Sequence, residues 1–399
     1  MDKIEELLTR GVANIIPNKE ELEKVLASGK KLNVYLGIDP TSTKIHLGHA
    51  VVLKKLNEFA KLGHNVTFLI GDFTALVGDT SDKESGRPIL TPEEVGENFK
   101  TYKKQAEKIL DFSKVKIRNN SDWLSKLTYA DVFKLKRQFS LNDFISRELI
   151  KKRLGEGKNI RFDETEYPVM QGYDSYFLDT DLQIGGTDQT FNMQAGRTLQ
   201  KHCRNKESFI IATEFLMGTD GRKMSKTWNN AIWLDDNPND MFAKIMAIKD
   251  ELIIQYFTLA TNTSSEEIKK VEEKLKNGNP MEIKKNLAEI IVDEIYGPKP
   301  SEEARDNFEN TVQNKKLPSE IKTVQVSISG KVRVAKQLVD YLVDVKLALS
   351  KSEAKRLIEQ GGIEIDGKRI TDQTFIVDPK DGMVIKVGKR KFVKIKITR

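Results

Sequence analysis

The chain has 399 residues, 38% of them apolar, with 66 Lys and Arg against 59 Asp and Glu. At roughly 100–200 residues per domain, that length holds two to four domains. The composition excludes a disordered chain, and no run of about 18 apolar residues offers a membrane-spanning helix. The opening Met1 to Leu8 is acidic and lacks the apolar stretch of a signal peptide. A single cysteine, Cys203, leaves no internal disulfide framework and fits a reducing cytoplasm. With only four histidines beside it, a multi-cysteine zinc site is excluded, so no structural metal is expected. The net charge of +7 is unevenly spread. Residues 331–399 carry 17 Lys and Arg against 9 Asp and Glu, a net of +8; the first 330 residues carry 49 against 50, a net of −1. A basic appendage of that kind fits a nucleic-acid partner, and equally a solvated lysine-rich face.

Taken in chain order, Leu32 to Ile38 predicts a buried strand, followed by a turn at Pro40 to Thr43. His46 to Lys61 has helical periodicity through Val52, Leu53, Leu56 and Phe59, and Gly63 ends it. Asn65 to Ile70 is the next strand. Strand, helix, strand at this spacing is a βαβ unit, hence a parallel sheet. The loop Gly71 to Leu90 then lies at a strand's carboxyl end, where open α/β sheets bind ligands. Residues 91–154 read as largely helical, and 158–167 as a polar break. A helix around Pro168 to Leu178 leads to a strand Asp181 to Gly186, and Glu207 to Phe215 contains another. Residues 237–296 are helical throughout, Gly297 to Pro300 breaks the pattern, and the polar stretch to Gly330 contains a linker. In the tail, Ser350-x-x-Glu353 is a capping-box pattern closed by Gly361, and Asp366-Gly367 marks a two-residue hairpin turn.

Two motifs carry chemistry. His46-Leu47-Gly48-His49 lies where a turn enters a helix, a place that favours phosphate through backbone N–H groups and the helix dipole. On this motif alone, a phosphate contact, a metal pair and two satisfied surface histidines all remain open. Lys223-Met224-Ser225-Lys226-Thr227 follows Gly218-Thr219-Asp220-Gly221, a loop whose two ammonium groups can bracket a polyphosphate. Taken alone, this motif reads as an exposed basic loop. No Gly-x-x-x-x-Gly-Lys-Ser/Thr run exists, which excludes a P-loop ATPase.

Together the two resemble the signature pair of class I aminoacyl-tRNA synthetases, with mild departures at Leu47 and Thr227. Tyr35 to Thr41, Tyr167 to Asp174 and Gln183 to Gln189 resemble the bacterial-type tyrosyl enzymes of that class. Residues 331–399 resemble the S4-type RNA-binding domain that ends them. The resemblance covers nearly the whole chain in motif order. It implies an α/β fold: a Rossmann-like parallel-sheet catalytic domain at 1–228 with a helical insertion at about 112 to 165. An all-helical, tRNA-facing domain at 229–320, a linker at 321–330 and a small α+β S4-like domain at 331–399 follow.

The resemblance also implies roles. His46 and His49 contact the ATP phosphates, Lys223 and Lys226 stabilise departing pyrophosphate, and Thr41 assists. Gly37, Asp39, Gly48, Met224 and Ser225 line the ATP side, and Gly186 and Asp188 hold the ribose. Tyrosine is held by Tyr35 and Asp174 at the phenol, by Asp79, Tyr167 and Gln171 at the ammonium, and by Gln189 near the carboxylate. Lys351, Lys355, Arg356, Lys368 and Arg369 are the expected tRNA contacts. ATP with Mg²⁺, L-tyrosine and tRNA(Tyr) are the implied substrates, and a homodimer the implied state. Its interface is expected at Ala130 to Leu154 through Phe133, Leu141, Phe144, Ile145 and Leu149. The chemistry agrees with the absence of any triad. A carboxylate attacking the α-phosphorus is already ionised, so positioning and charge stabilisation are what must be supplied. Three other readings compete: a tryptophanyl enzyme, which normally lacks the S4-like tail, a non-catalytic RNA-binding protein, and a small-molecule nucleotidyltransferase.

Overall fold

A computed structural model describes residues 3–79, 90–313, 322–327, 336–388 and 391–398. The chain divides into two compact units, Met1–Ser301 and Glu302–Arg399. Part of the loop after Gly71 and the first residues of the basic tail lie outside the described residues.

The first unit is built on a six-stranded sheet. Its strands are β1 (Val12–Ile16), β2 (Asn33–Ile38), β3 (Asn65–Ile70), β4 (Val115–Asn119), β5 (Leu182–Gly186) and β6 (Phe209–Thr213). The order is β1-β6-β5-β2-β3-β4, parallel except for β1, which runs antiparallel to β6. From β2 the chain winds one way through β3 and β4, then returns to the other side with β5. That reversal makes a crevice beyond the carboxyl ends of β2 and β5. The central strands are apolar along their length because helices cover both faces: Val34, Leu36, Phe68, Ile70, Ile184, Ile210 and Ile211 are buried. The first crossover helix, Leu47–Lys61, buries Leu47, Ala50, Leu53, Leu56 and Phe59, and Gly63 (φ 84°) follows its end.

Two strands depart from the sequence expectation. Residues 91–154 are not helical throughout, because β4 pairs with β3 from Val66↔Val115 to Ile70↔Asn119. Lys116 and Arg118 face out from this edge strand, so its apolar signal is only two residues strong. The helical insertion therefore begins after β4, with short helices Ser121–Leu124, Tyr129–Lys136, Leu141–Ile145 and Glu148–Gly155. β1, also an edge strand, was not anticipated at all.

Beyond the sheet, helices Pro238–Met246, Ile253–Ala260, Ser265–Asn277 and Pro280–Tyr296 pack around Phe242, Ile245, Tyr256, Phe257, Leu287 and Ile291. Local chemistry sets their ends. Asn237 caps the first over Pro238, and Ser264 with Glu267 forms a full capping box. Gly297 (φ 88°) is a one-residue break, not the start of a linker, since Pro298 opens a further helix to Phe308.

In the second unit, β7 (Lys322–Ser327), β9 (Ile363–Ile365), β10 (Lys368–Ile370), β12 (Val384–Val387) and β13 (Lys391–Thr398) form a sheet ordered β10-β9-β12-β13-β7. A second pair joins β8 (Lys336–Gln337) to β11 (Ile376–Val377). The expectation of a linker at 321–330 fails here. β7 runs parallel to β13 over six residue pairs, from Lys322↔Val393 to Ser327↔Thr398. Its polar composition hid a strand whose partner lies some seventy residues away. The Asp366-Gly367 turn is present, with φ of 46° and 80°, the left-handed pair a two-residue hairpin requires. The cap at Ser350 is half of the expected box. Ser350 accepts from the Glu353 N–H at 3.2 Å, but the Glu353 carboxylate accepts from Leu349 N–H, one residue earlier.

Candidate active site

The histidine pair sits at the crevice. His46 is the N-cap of the Leu47–Lys61 helix, and His49 is its third residue. Each Nδ1 accepts the other's backbone N–H at 3.3 Å, a capping box built from two imidazoles. Their rings stack with centroids 3.7 Å apart. With both Nδ1 atoms accepting, a neutral ring carries its proton on Nε2, so each presents an N–H donor. Burial, then the neighbouring His49 and Lys223 charges, lowers the His46 pKa to about 2, which keeps that ring neutral. Gly48 is required by this stack: a Cβ there would stand 2.9 Å from His46 Nδ1. The close approach that glycine permits is thus to the histidine itself.

The lysine motif lies beside it. Residues 45–47 and 232–234 pair as a short bridge, with Leu47 N–H donating to Ile232 O and Leu234 N–H to Ile45 O, both at 2.9 Å. This bridge ties the loop's return to the histidine turn. Lys223 places its Nζ 3.1 Å from Asp188 Oδ2 and 3.9 Å from the centre of the Phe215 ring. Gly186 makes room for Asp188, whose Oδ1 would be 2.6 Å from a Cβ there. Met224 is buried, and its N–H donates to Leu216 O. Ser225 N–H donates to Asn230 Oδ1 at 2.8 Å. Lys226 is exposed, with no side-chain partner among the described residues. Thr41 is half-buried in the turn after β2, its N–H donating to Asp39 O, and Gly37 lies in β2.

The expected amino-acid residues fall into three buried groups. Asp174 accepts from Trp123 Nε1 at 2.7 Å and Asn120 Nδ2 at 3.0 Å, and burial raises its pKa to about 8. Tyr35, buried and with its own pKa raised by burial and then by Asp174, donates its hydroxyl to Gln183 Oε1 at 3.1 Å. The Gln183 amide is fixed because its Nε2 donates to Met193 O. Asp79 accepts from Gln189 Nε2 at 2.7 Å and Asn192 Nδ2 at 3.2 Å. Tyr167 donates to Asp39 Oδ2 at 2.8 Å, while Thr74 Oγ1 donates to Asp39 Oδ1. Tyr167 is therefore joined to a residue expected on the ATP side. Gln171 is half-buried, with no side-chain hydrogen bond among the described residues.

Sequence reasoning missed Thr74, Asn120, Trp123, Gln183, Asn192 and Asn230. Gln183 had a signal, a polar residue inside an apolar strand; Asn230 acts within its own loop, and the others are assembled from distant segments and had none. In the second unit, Lys351, Lys355, Arg356, Lys368 and Arg369 are all exposed, on the Lys351–Glu359 helix and on β10. Lys351 pairs with Asp340 at 2.8 Å.

A parallel sheet with a histidine pair at the first crossover helix, bridged to a two-lysine loop, has the architecture of a class I aminoacyl-tRNA synthetase core. Residues 27–313 match the family described as tRNA synthetases class I (W and Y), and residues 330–382 match the S4 domain. The tyrosine–tRNA ligase of Thermotoga maritima is 43% identical over 392 residues, covering 98% of this chain and 96% of its own. That of Carboxydothermus hydrogenoformans is 44% identical over 400 residues, covering 98% and 97%. Among solved structures, tyrosyl-tRNA synthetase from Archaeoglobus fulgidus, complexed with L-tyrosine, shares the fold at a TM-score of 0.61 and 23% identity. It covers 76% of this chain and 99% of that one. The chain belongs to the tyrosyl-tRNA synthetase family of class I, in its form that carries an S4 domain.

Proposed function

We propose that the crevice beyond β2 and β5 forms tyrosyl-adenylate with the residues named above, within the family's reaction. The enzyme is a tyrosine–tRNA ligase that uses ATP. The tyrosine phenol is taken by Tyr35 and Asp174, the ammonium by Asp79, Tyr167 and Gln171, and the carboxylate lies near Gln189. ATP lies along Gly37, Asp39, Gly48, Met224 and Ser225, with its ribose on Gly186 and Asp188. One tyrosine carboxylate oxygen attacks the α-phosphorus, and the bond to pyrophosphate breaks. His46 and His49 donate from Nε2 to phosphate oxygens, Thr41 assists, and Lys223 and Lys226 take up charge on the leaving pyrophosphate. A terminal ribose hydroxyl of tRNA(Tyr) then attacks the adenylate's carbonyl carbon, and AMP leaves. Mg²⁺ enters with the triphosphate as part of the substrate. The histidine and lysine donors suit an ion carried on phosphates rather than one held in a protein cage.

The observation that carries this reading is the bridge between residues 45–47 and 232–234, which brings the two motifs together. For the tail, exposure of its five basic residues supports tRNA contact. For a homodimer, the insertion offers exposed Phe133, Leu141 and Ile145; Phe144 is buried and drops out of the expected set. We place the enzyme in the cytoplasm, consistent with one exposed, unpaired cysteine. ATP–pyrophosphate exchange with each of the twenty amino acids tests the assignment. Exchange dependent on tyrosine is expected, and exchange dependent on tryptophan would overturn it.

A further inference from the structure

Asn230 lies at the return of the lysine loop and is only 2% exposed. Its side chain reaches both limbs of that loop. Nδ2 donates to Asp220 Oδ1 at 2.7 Å and to Lys223 O at 3.2 Å, while Oδ1 accepts from Ser225 N–H at 2.8 Å. Its backbone carbonyl accepts from Thr219 N–H at 3.1 Å. The amide cannot be turned over, because a carboxylate and a carbonyl demand donors and an N–H demands an acceptor. Gly218 is shaped to it: a Cβ there would meet Asn230 Cγ at 2.4 Å. Asp220 is held further by Arg222, which donates from its backbone N–H at 3.0 Å and from Nε at 2.8 Å.

We propose that Asn230 is the positioning residue of the lysine loop, fixing the backbone from which Lys223 and Lys226 act and thereby the rate of adenylate formation. The amide touches none of the reacting atoms and works through the loop. It bonds the carbonyl of Lys223, the main-chain oxygen of the residue whose ammonium stands on Asp188. It also bonds the N–H of Ser225, next to Lys226. The proposal rests on the reading of those two lysines as pyrophosphate-stabilising groups.

The loop carries its own reporter, since Arg222, Lys223 and Lys226 are trypsin sites. In Asn230→Ala, two loop groups and Asp220 lose a partner, a loss worth about tenfold or more in loop closure. Tryptic nicking between residues 222 and 227 should therefore be about tenfold faster under native conditions. The kcat for ATP–pyrophosphate exchange should fall about tenfold, with KM for tyrosine within about twofold of the parent. Asn230→Asp keeps the acceptor and the volume but faces Asp220 with a second carboxylate. Such a pair shares one proton at a raised pKa. Arg222, Lys223, the Lys249 ammonium beside Gly221 and the Tyr256 hydroxyl on Met217 O are the other groups around it. The ratio of variant to parent exchange should rise as pH falls from about 8 to 6, since a protonated pair restores a donor. Should the alanine variant fail to fold, the aspartate variant carries the test. Unchanged nicking, or faster nicking with an unchanged kcat, overturns the proposal. Lys226→Ala, measured in parallel, isolates the lysine reading: normal exchange in that variant would fail the reading, whatever the nicking rate shows about Asn230.

Discussion

The two ends of the crevice are built differently. At the end proposed for the amino acid, two carboxylates are already held: Asp174 by Trp123 and Asn120, Asp79 by Gln189 and Asn192. These carboxylates thus have partners within the fold before any ligand arrives. At the nucleotide end, Lys226 is exposed and Lys223 is engaged with Asp188, a residue proposed for the ribose. Recognition of a neutral ring depends on fixed geometry, whereas charge that develops during reaction can be met by groups that arrive with the loop. The contrast predicts that damage to one end changes which amino acid is used, and damage to the other changes how fast.

The largest effect belongs to the fixed end. Asp174→Ala should collapse discrimination between tyrosine and phenylalanine, measured as the ratio of kcat/KM in pyrophosphate exchange. A site built for a hydroxyl rejects the analogue because its own polar groups are stranded. Tyrosyl enzymes are themselves the type case, with a rejection of ~10⁵-fold. Full discrimination in the variant would place the phenol acceptor elsewhere. Next, Lys226→Ala should slow adenylate formation by about 10²–10³-fold, as for loss of one transition-state donor, with tyrosine affinity unchanged. Equal losses in binding and rate would erase the distinction between the two ends.

A smaller effect on activation is expected from truncation after Gln313, which removes the whole β7–β13 sheet rather than leaving β7 without its partner. Pyrophosphate exchange should stay near its full rate while tRNA charging falls. The salt dependence of tRNA affinity should flatten, because the tail's basic residues release fewer counterions. Undiminished charging would exclude the tail from tRNA binding. Smallest for activity is a slope in stability. The Asp174 pKa is raised from 3.8 to about 8, so the folded chain holds a proton that the unfolded chain releases across that interval. Stability from this group is therefore present below about pH 4 and is lost as pH rises toward 8. Asp174→Asn should flatten the decline of Tm over pH 5 to 8; an unchanged slope would mean the carboxyl is ionised in the folded protein.

Much of this was legible in the sequence because the central strands are continuous apolar runs and the motifs are contiguous. β2, β3, β5, β6 and the crossover helix follow from local pattern. What was missed shares one cause. β1 and β4 are edge strands, β1 exposing Ala13 and Asn14 and β4 exposing Lys116 and Arg118, and β7 is a polar strand whose partner is distant in sequence. Asn120, Trp123 and Asn192 acquire their roles only when segments fifty or more residues apart meet Asp174 or Asp79. No periodicity encodes that. The resemblance placed Gly48 on the ATP side, but nothing in the sequence showed that the ring packed against it would be His46.

The Lys223–Asp188 pair has a bearing on which nucleotide the crevice accepts. If Asp188 takes the ribose as proposed, a docking nucleoside competes for that carboxylate with an ammonium 3.1 Å away and favours their separation. Adenosine brings that ammonium no anionic group and competes with it for the carboxylate. A triphosphate offers the ammonium new oxygens in the same event, and the separation is compensated. On that reading the pair favours a phosphorylated ligand over its bare nucleoside, a selection for the length of the nucleotide made at its sugar.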